Sequence, residues 1–229
     1  MEHIIDGFIE GIKLLLSFEG EVYSIIILSL YVSLTSTLIS SLIGIPLGIF
    51  LGLKKFRFKR LLTRFLYTFM SLPPVVVGLT VAVIISRRGP LGHLRLLFTP
   101  GAMIIAQTLL VTPIITGIIF NNSKEQGEVI RQICKTLGGN RLDTLMLLIK
   151  EMRINILIGV VTGFGRAISE VGAVMIVGGN IKGHTRVMTS FIAMNNSMGN
   201  YSTSIAMGLV LLAISFMTNS ILYKYIVGD

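Results

Sequence analysis

The chain has 229 residues, of which 52% are hydrophobic and only 14% are charged, and its mean hydropathy is +0.81. A soluble domain carries about a quarter charged residues, so this composition excludes an ordinary soluble protein and indicates one integral membrane domain. The net charge of +9 reflects basic clusters between apolar runs, which are typical of cytoplasmic loops, and no nucleic-acid partner is expected. The single cysteine, Cys134, excludes an intramolecular disulfide.

The first 20 residues differ from the rest of the chain. Over residues 4–18, apolar residues recur at helical spacing beside Asp6, Glu10 and Lys13. This pattern predicts an amphipathic helix on the membrane surface, and a poorly ordered arm is the alternative. The acidic residues also argue against a cleavable signal peptide.

Five apolar runs then predict five spans of an all-α membrane protein. The first run exceeds the roughly 20 residues that a bilayer requires, so its helix should tilt or project. Gly44, Gly48 and Gly52 should allow a neighbouring helix to approach closely, and Pro46 should kink the span. A basic cluster at residues 54–60 follows, which places that end in the cytoplasm, the N-terminus outside and the C-terminus inside. The runs cover residues 22–53, 61–86, 101–119, 154–176 and 201–226.

Two spans carry features that are costly in a membrane. Pro73 and Pro74 interrupt the second span, and such a break is tolerated where protein or a water-filled path satisfies the backbone, although a simple packing kink is the alternative. Arg166 and Glu170 stand one helical turn apart in the fourth span. A neutralised pair that fixes helix packing is the favoured interpretation, and a role in transport is the other. Milder candidates for lining a path are Ser169, Gly172 and Thr112.

The region at residues 121–153 is too long and too polar for a simple connection between spans. Within it, over residues 128–151, Val129, Ile133, Leu137, Leu142, Leu145 and Leu148 recur at helical spacing. Gly138, Gly139 and Asn140 interrupt the pattern, which predicts two short helices joined by a tight turn. Such a hairpin either docks into another protein or lies at the membrane interface.

The sequence contains no catalytic constellation. The three histidines, His3, His93 and His184, do not have the spacing of metal ligands, so no metal site is expected. No phosphate-binding P-loop is present either. If the chain drives an ATP-dependent process, a separate subunit must hydrolyse the ATP.

Three segments carry a resemblance to a known family. Gln132-Ile133-Cys134, followed by Gly138, resembles the cytoplasmic EAA loop of ABC-importer permeases, with a different triplet. The segment from Gly165 to Ala173, GRAISEVGA, is similar to the Arg-x-x-x-Glu-hydrophobic-Gly-Ala segment of molybdate, tungstate and sulfate permeases. Ser71 to Gly78, SLPPVVVG, resembles the Leu-Pro segment of the same group. The chain is most similar to the tungstate type.

The resemblance implies a type I ABC-importer membrane domain that forms a homodimer. It implies ATPase subunits, which bind ATP and magnesium, and an extracytoplasmic protein that delivers an oxyanion; no cofactor is expected in this chain. The rivals are a permease for phosphate or an amino acid, and a membrane scaffold or enzyme without an ATPase. The residues implied to couple to the ATPase are Glu128, Arg131, Gln132, Cys134, Lys135, Leu137, Gly138, Arg141, Leu142 and Leu145.

Five cations lie in segments that this topology places outside, against the positive-inside bias. They sit in a loop over residues 87–100 and in a partly helical segment over residues 178–200. They either dock the binding protein or attract its anionic cargo; the alternative is that they are solvated charges or contact lipid headgroups. The five residues are Arg87, Arg88, Arg95, Lys182 and Arg186.

Overall fold

A computed structural model describes residues 20–54 and 56–227, and the helix expected over residues 4–18 lies outside them. Within the described residues the protein is all-helical, as predicted, with no strand. The nine α-helices are α1 (Gly20–Leu53), α2 (Lys59–Met70), α3 (Pro74–Ile85), α4 (Pro100–Thr136), α5 (Arg141–Glu151), α6 (Arg153–Ile168), α7 (Gly172–Gly178), α8 (Met188–Ser197) and α9 (Tyr201–Val227).

The helices α1 and α4 form the central packing seam, and glycine makes it possible. Gly44, Gly48 and Gly52 recur every fourth residue, so they form one stripe along α1. A Cβ atom at Gly48 would lie 2.7 Å from the Cβ atom of Ile119, and one at Gly44 would lie 3.0 Å from the hydroxyl oxygen of Thr116. The close approach expected from these glycines is therefore present, with α4 as the neighbour.

Polar side chains add hydrogen bonds along the same seam. The Ser36 hydroxyl donates to Gln107 Oε1 at 2.9 Å, and the hydroxyls of Thr112 and Ser40 lie 3.2 Å apart. The Gln107 amide also reaches α6, because its Nε2 donates to the carbonyl oxygen of Ala167 at 2.9 Å. These polar side chains are thus paired across three helices, whereas the Thr108 hydroxyl in the same seam has no hydrogen-bond partner among the described residues.

The count of five spans depends on two bent pairs of helices. Three helices are long and apolar enough to cross a membrane: α1, α4 and the described part of α9. The pair α2–α3 bends by 98° and the pair α6–α7 by 57°, so the total reaches five if each pair crosses once. The second and fourth runs of the sequence are therefore each divided into two helices: a break at Pro73 and Pro74 was expected in the second run, whereas the fourth was expected to be continuous.

The third span and the first half of the predicted hairpin are one helix. Helix α4 has 37 residues, which gives it a length of about 55 Å at 1.5 Å per residue. A bilayer core is about 30 Å thick, so α4 projects well beyond it. The prediction of two short helices over residues 128–151 is wrong for the first, because the helix continues through the polar residues after Phe120.

The outer segments join the bundle through a few defined contacts. The loop after α3 contains a short 3₁₀ turn at Gly92–Leu94, and α8 is the helix expected within residues 178–200. Two of the five outer cations form ion pairs with Glu21 at the start of α1: Lys182 at 2.7 Å and Arg186 at 3.5 Å. These two are therefore not simply solvated loop charges.

The glycine stripe leads to a test of the seam. We expect Gly48→Val to destabilise the protein by about 1–3 kcal/mol, because the new side chain must displace Ile119 or the α4 backbone. Gly208→Val in α9 is the matched control, since a Cβ at Gly208 meets nothing within 4 Å. The measurement is the free energy of unfolding in detergent. Equal losses in the two variants would contradict a seam that depends on close approach.

Candidate functional site

The turn between α4 and α5 is fixed by glycine. Gly138 has a φ of +78°, a conformation that glycine adopts without steric cost. The amide of Gly138 donates to the Lys135 carbonyl at 3.2 Å, and that of Gly139 to the Cys134 carbonyl at 2.8 Å. These two bonds form a Schellman motif, which satisfies carbonyls left free at the end of α4. The predicted tight turn is confirmed.

Helix α5 begins at a well-formed cap. The Asn140 side chain accepts from the amides of Leu142 at 2.7 Å and Asp143 at 3.1 Å. In return, the Asp143 carboxylate accepts from the Asn140 amide at 2.7 Å. This capping box orients α5 relative to α4, so the hairpin is a rigid projection rather than an irregular loop.

Most of the residues implied to couple to an ATPase are on the surface of this hairpin. Leu137 is 80% exposed and Leu142 is 68% exposed, although both are large and apolar. Cys134 is buried and Leu145 is half-buried, and Leu145 packs against the core cluster of Leu148 and Met152. The exposed members are Glu128, Arg131, Gln132, Lys135, Leu137, Gly138, Arg141 and Leu142.

The hairpin also presents two apolar residues that the sequence pattern did not single out, Met146 and Ile149. Leu142, Met146 and Ile149 are exposed, and their i, i+4, i+7 spacing places them along one outward stripe of α5. The periodic pattern had combined Leu142 with the inward-facing Leu145 and Leu148. Met146 and Ile149 each follow a core-facing leucine, Leu145 or Leu148, by one residue. This second set of apolar residues was the signal in the sequence that could have identified the outward stripe.

A groove of about 560 Å³ runs between the end of α4 and α5. Val129 and Ile133 form its apolar wall, while Glu125 and Glu151 supply carboxylates. Exposed apolar residues beside a charged groove are unusual on a surface that faces water, and they are typical of a protein–protein contact. The hairpin therefore has the surface properties of a protein–protein contact.

The second set of candidate residues lies where the bent pairs of helices break. Pro73 is the N-cap of α3 and Pro74 its first residue, so the prolines lie at the junction between two helices. A Cβ at Gly172 would lie 2.9 Å from Val75 Cγ2, and one at Gly78 would lie 2.6 Å from Ala173 Cα. The half-helices α3 and α7 thus pack tightly, and the structure brings Pro74 and Gly172 together.

Ser169 and Thr112 occupy different environments. Ser169 is exposed at the break between α6 and α7, where its hydroxyl bonds to the carbonyl of Gly165 at 2.8 Å. Thr112 is half-buried in the α1–α4 seam, bonded to Ser40 and to the Thr108 carbonyl. Thr112 therefore contributes to helix packing, away from the exposed break.

Arg166 and Glu170 form an ion pair, with Nη2 and Oε2 separated by 3.4 Å. The pair is asymmetric, because the Glu170 side chain is 5% exposed and that of Arg166 is 41% exposed. Glu170 also accepts from the Ala173 amide at 3.2 Å, which caps α7. Beside Glu170 the interior contains a cavity of only about 10 Å³, room for one water at most.

The described residues thus form a helical bundle with two bent pairs of helices, an ion pair with a buried carboxylate, and a projecting helical hairpin. The model of a family described as the binding-protein-dependent transport system inner membrane component matches residues 44–227. The chain belongs to this family, whose fold is the type I ABC-importer membrane domain. It is a multi-pass protein of the cytoplasmic membrane.

Three curated relatives are similar over most of their length. A tungstate uptake system permease of Peptoclostridium acidaminophilum is 56% identical over 224 residues, 98% of each chain. A tungstate uptake system permease of Campylobacter jejuni is 38% identical over 98% of this chain and 94% of its own. A probable anion ABC transporter permease of Haloferax volcanii is 38% identical over 86% and 88% of the two chains.

A double-mutant cycle tests the role of the intramembrane pair. If Arg166 and Glu170 fix helix packing, Arg166→Gln and Glu170→Gln should each destabilise the protein, and the double variant should lose less than their sum. We expect a coupling of about 0.5–1 kcal/mol, since Arg166 is partly exposed. Unfolding of the detergent-solubilised variants provides the measurement. Additive losses would instead mean that the two charges act separately.

Proposed function

We propose that this chain is the permease subunit of an ATP-driven importer of a tetrahedral oxyanion, with tungstate as the cargo. Molybdate and sulfate are the next candidates. The observation that carries the proposal is the 56% identity to a tungstate uptake permease over 98% of both chains. The 224 aligned residues are nearly the whole chain and therefore include the breaks of both bent spans, where the candidate path residues lie.

The ATPase subunit docks on the hairpin of α4 and α5. The exposed apolar contacts come from Leu137, Leu142 and Met146. The charges of Arg131 and Arg141 fix the orientation of the ATPase on this surface. ATP and magnesium bind to the ATPase, and this chain carries no cofactor of its own. ATP closes the ATPase pair, which moves the hairpins, and the spans follow because the hairpin base belongs to the same core cluster as Ile115 and Ile119 of α4. Different contacts in the two states supply the driving force.

A second copy of the chain completes the path. Arg166 is 41% exposed in the single chain, and a cation that faces lipid is costly. Ser169 and Thr80 are exposed polar residues near the same breaks. A partner copy that covers this face removes Arg166 from lipid and encloses a polar path for the anion between the two subunits. The residues of this path are Pro73, Pro74, Gly172, Ser169 and Arg166.

The N-terminus lies outside and the C-terminus inside. Lys59 at the start of α2 donates to the Gly52 carbonyl at the end of α1, at 2.9 Å, and its Nζ atom lies 5.8 Å from the Phe120 ring centroid. The basic cluster and the base of the hairpin are therefore at the same end of the bundle. Both belong in the cytoplasm by the positive-inside rule.

Reconstitution tests the function. The complex of permease, ATPase and an oxyanion-loaded binding protein should take up tungstate into vesicles in an ATP-dependent manner, measured as metal content. Leu142→Asp should insert normally, because Leu142 is 68% exposed, yet should abolish most uptake by placing a charge in the apolar contact. Leu142→Met is the matched control and should transport. Uptake of phosphate or an amino acid in place of tungstate, or normal transport by Leu142→Asp, would contradict the proposal.

Cysteine labelling tests the orientation. In a Cys134→Ser background, Arg88→Cys should react with a membrane-impermeant maleimide on intact cells, whereas Lys124→Cys should react only after permeabilisation. Both side chains are exposed, so lack of reaction reports the side of the membrane rather than burial. The reverse labelling pattern would invert the topology.

A further inference from the structure

The five outer cations fall into two groups. Lys182 and Arg186 share the carboxylate of Glu21, at 2.7 Å and 3.5 Å. Arg87, Arg88 and Arg95, all exposed, form no ion pair among the described residues. The chain contains no acidic residue between Glu21 and Glu125, so the loop after α3 has no carboxylate of its own.

Two of these arginines line one concavity at the outer end of the bundle. The basin has a volume of about 910 Å³, with Arg87, His93 and Arg95 as its polar members. Its apolar members include Ile85, Leu97 and Phe98. Arg88 is adjacent in sequence but does not line it. The basin therefore concentrates positive charge over an apolar floor, where field lines are focused and opposite charge is attracted.

The basin is held in shape by its backbone. The amide of Phe98 donates to the Val177 carbonyl at 2.9 Å, and that of Leu91 to the Ile84 carbonyl at 3.0 Å. Arg95 has a φ of +50° and Phe98 a φ of +63°. Such left-handed conformations cost free energy in residues other than glycine and persist where the surroundings enforce them. The two arginine side chains thus project from a defined loop.

The volume of the basin favours a protein surface over a single small anion as its occupant. A water molecule accounts for about 30 Å³ of liquid, so a tetrahedral oxyanion needs on the order of 100 Å³, several times less than the basin offers. Separate cations spread over a wide concavity match several carboxylates on a projecting protein surface better than one small ion. The charge that complements them is acidic.

We propose that this basin, formed around Arg87, His93 and Arg95, seats an acidic projection of the binding protein on which the transport system depends. This proposal rests on the importer function proposed above, because it names the surface of the permease that the binding protein contacts. Loaded binding protein is steered to the basin by charge, and the apolar floor of Leu97 and Phe98 excludes water from the contact.

The test compares Arg87→Gln/Arg95→Gln with the matched control Arg88→Gln, which removes a charge from the same loop outside the basin. Each is reconstituted with the ATPase in zwitterionic vesicles, and tungstate uptake is measured against the concentration of loaded binding protein. At low ionic strength the double variant should raise the half-saturating concentration on the order of tenfold. The half-saturating concentration of the double variant, divided by that of the parent, should fall towards one as the Debye length shortens to about 3 Å at 1 M salt.

The maximal uptake at saturating binding protein should equal that of the parent, because the basin steers and seats the partner without taking part in coupling. The proposal is overturned if the double variant raises the half-saturating concentration of binding protein no more than Arg88→Gln does. A shift that appears only after anionic lipid is added overturns it in favour of headgroup contacts. Inhibition by free tungstate beyond that of chloride at equal ionic strength, lost in the double variant, overturns it in favour of a small-anion site. A parent that shows no uptake instead contradicts the proposed function itself.

Discussion

The fold depends on the side-chain amide of Gln107, which joins three helices. Its Oε1 accepts from Ser36 of α1 and its Nε2 donates to the carbonyl of Ala167 near the end of α6. Between membrane helices the hydrophobic effect supplies little, so close packing and interior hydrogen bonds must hold them together. Gln107 is buried, and it satisfies a carbonyl in the last turn of a helix that stops inside the bundle. The amide of Glu170 donates to the same carbonyl at 3.2 Å, so Gln107 adds a second hydrogen bond at the break of the fourth span.

Helix α4 connects both functional surfaces of the chain. Its N-terminal end is capped by Thr99, next to Phe98, which is bonded to Val177 at the end of α7. Its C-terminal end enters the Gly138 turn of the docking hairpin. Because the helix is continuous and packed along α1, a displacement of the hairpin cannot be absorbed in a loop between it and the spans. One continuous helix therefore links the Phe98 end of the bundle to the hairpin.

Hydrophobic length and turn chemistry predicted most of the helices and the glycine turn from the sequence, but three features were beyond them. The apolar signal of α4 ends near Phe120, whereas its backbone hydrogen bonds continue through polar residues to Thr136. Periodicity placed Leu142 with Leu145 and Leu148, because residues at i, i+3 and i+6 drift around a helix and only packing decides which are covered. The proline pair predicted a break, but neither its 98° angle nor the close packing of Gly78 on Ala173, which joins residues far apart in sequence, could be read from local pattern.

The two breaks between half-helices differ from the continuous helices in how their backbone groups are hydrogen-bonded. At the first, Pro73 and Pro74 lack amide hydrogens, and the Pro73 carbonyl accepts from the amides of Val76 and Val77. At the second, the carboxylate of Glu170 accepts from Ala173 and its carbonyl from Thr189. Hydrogen bonds within the chain therefore satisfy these backbone groups, and the breaks require no bound ligand to be stable. A guanidinium has five donors, and Arg166 makes one contact of 3.4 Å among the described residues. The unused hydrogen-bonding capacity at the breaks is therefore cationic, and it lies at a partly exposed side chain of the single chain.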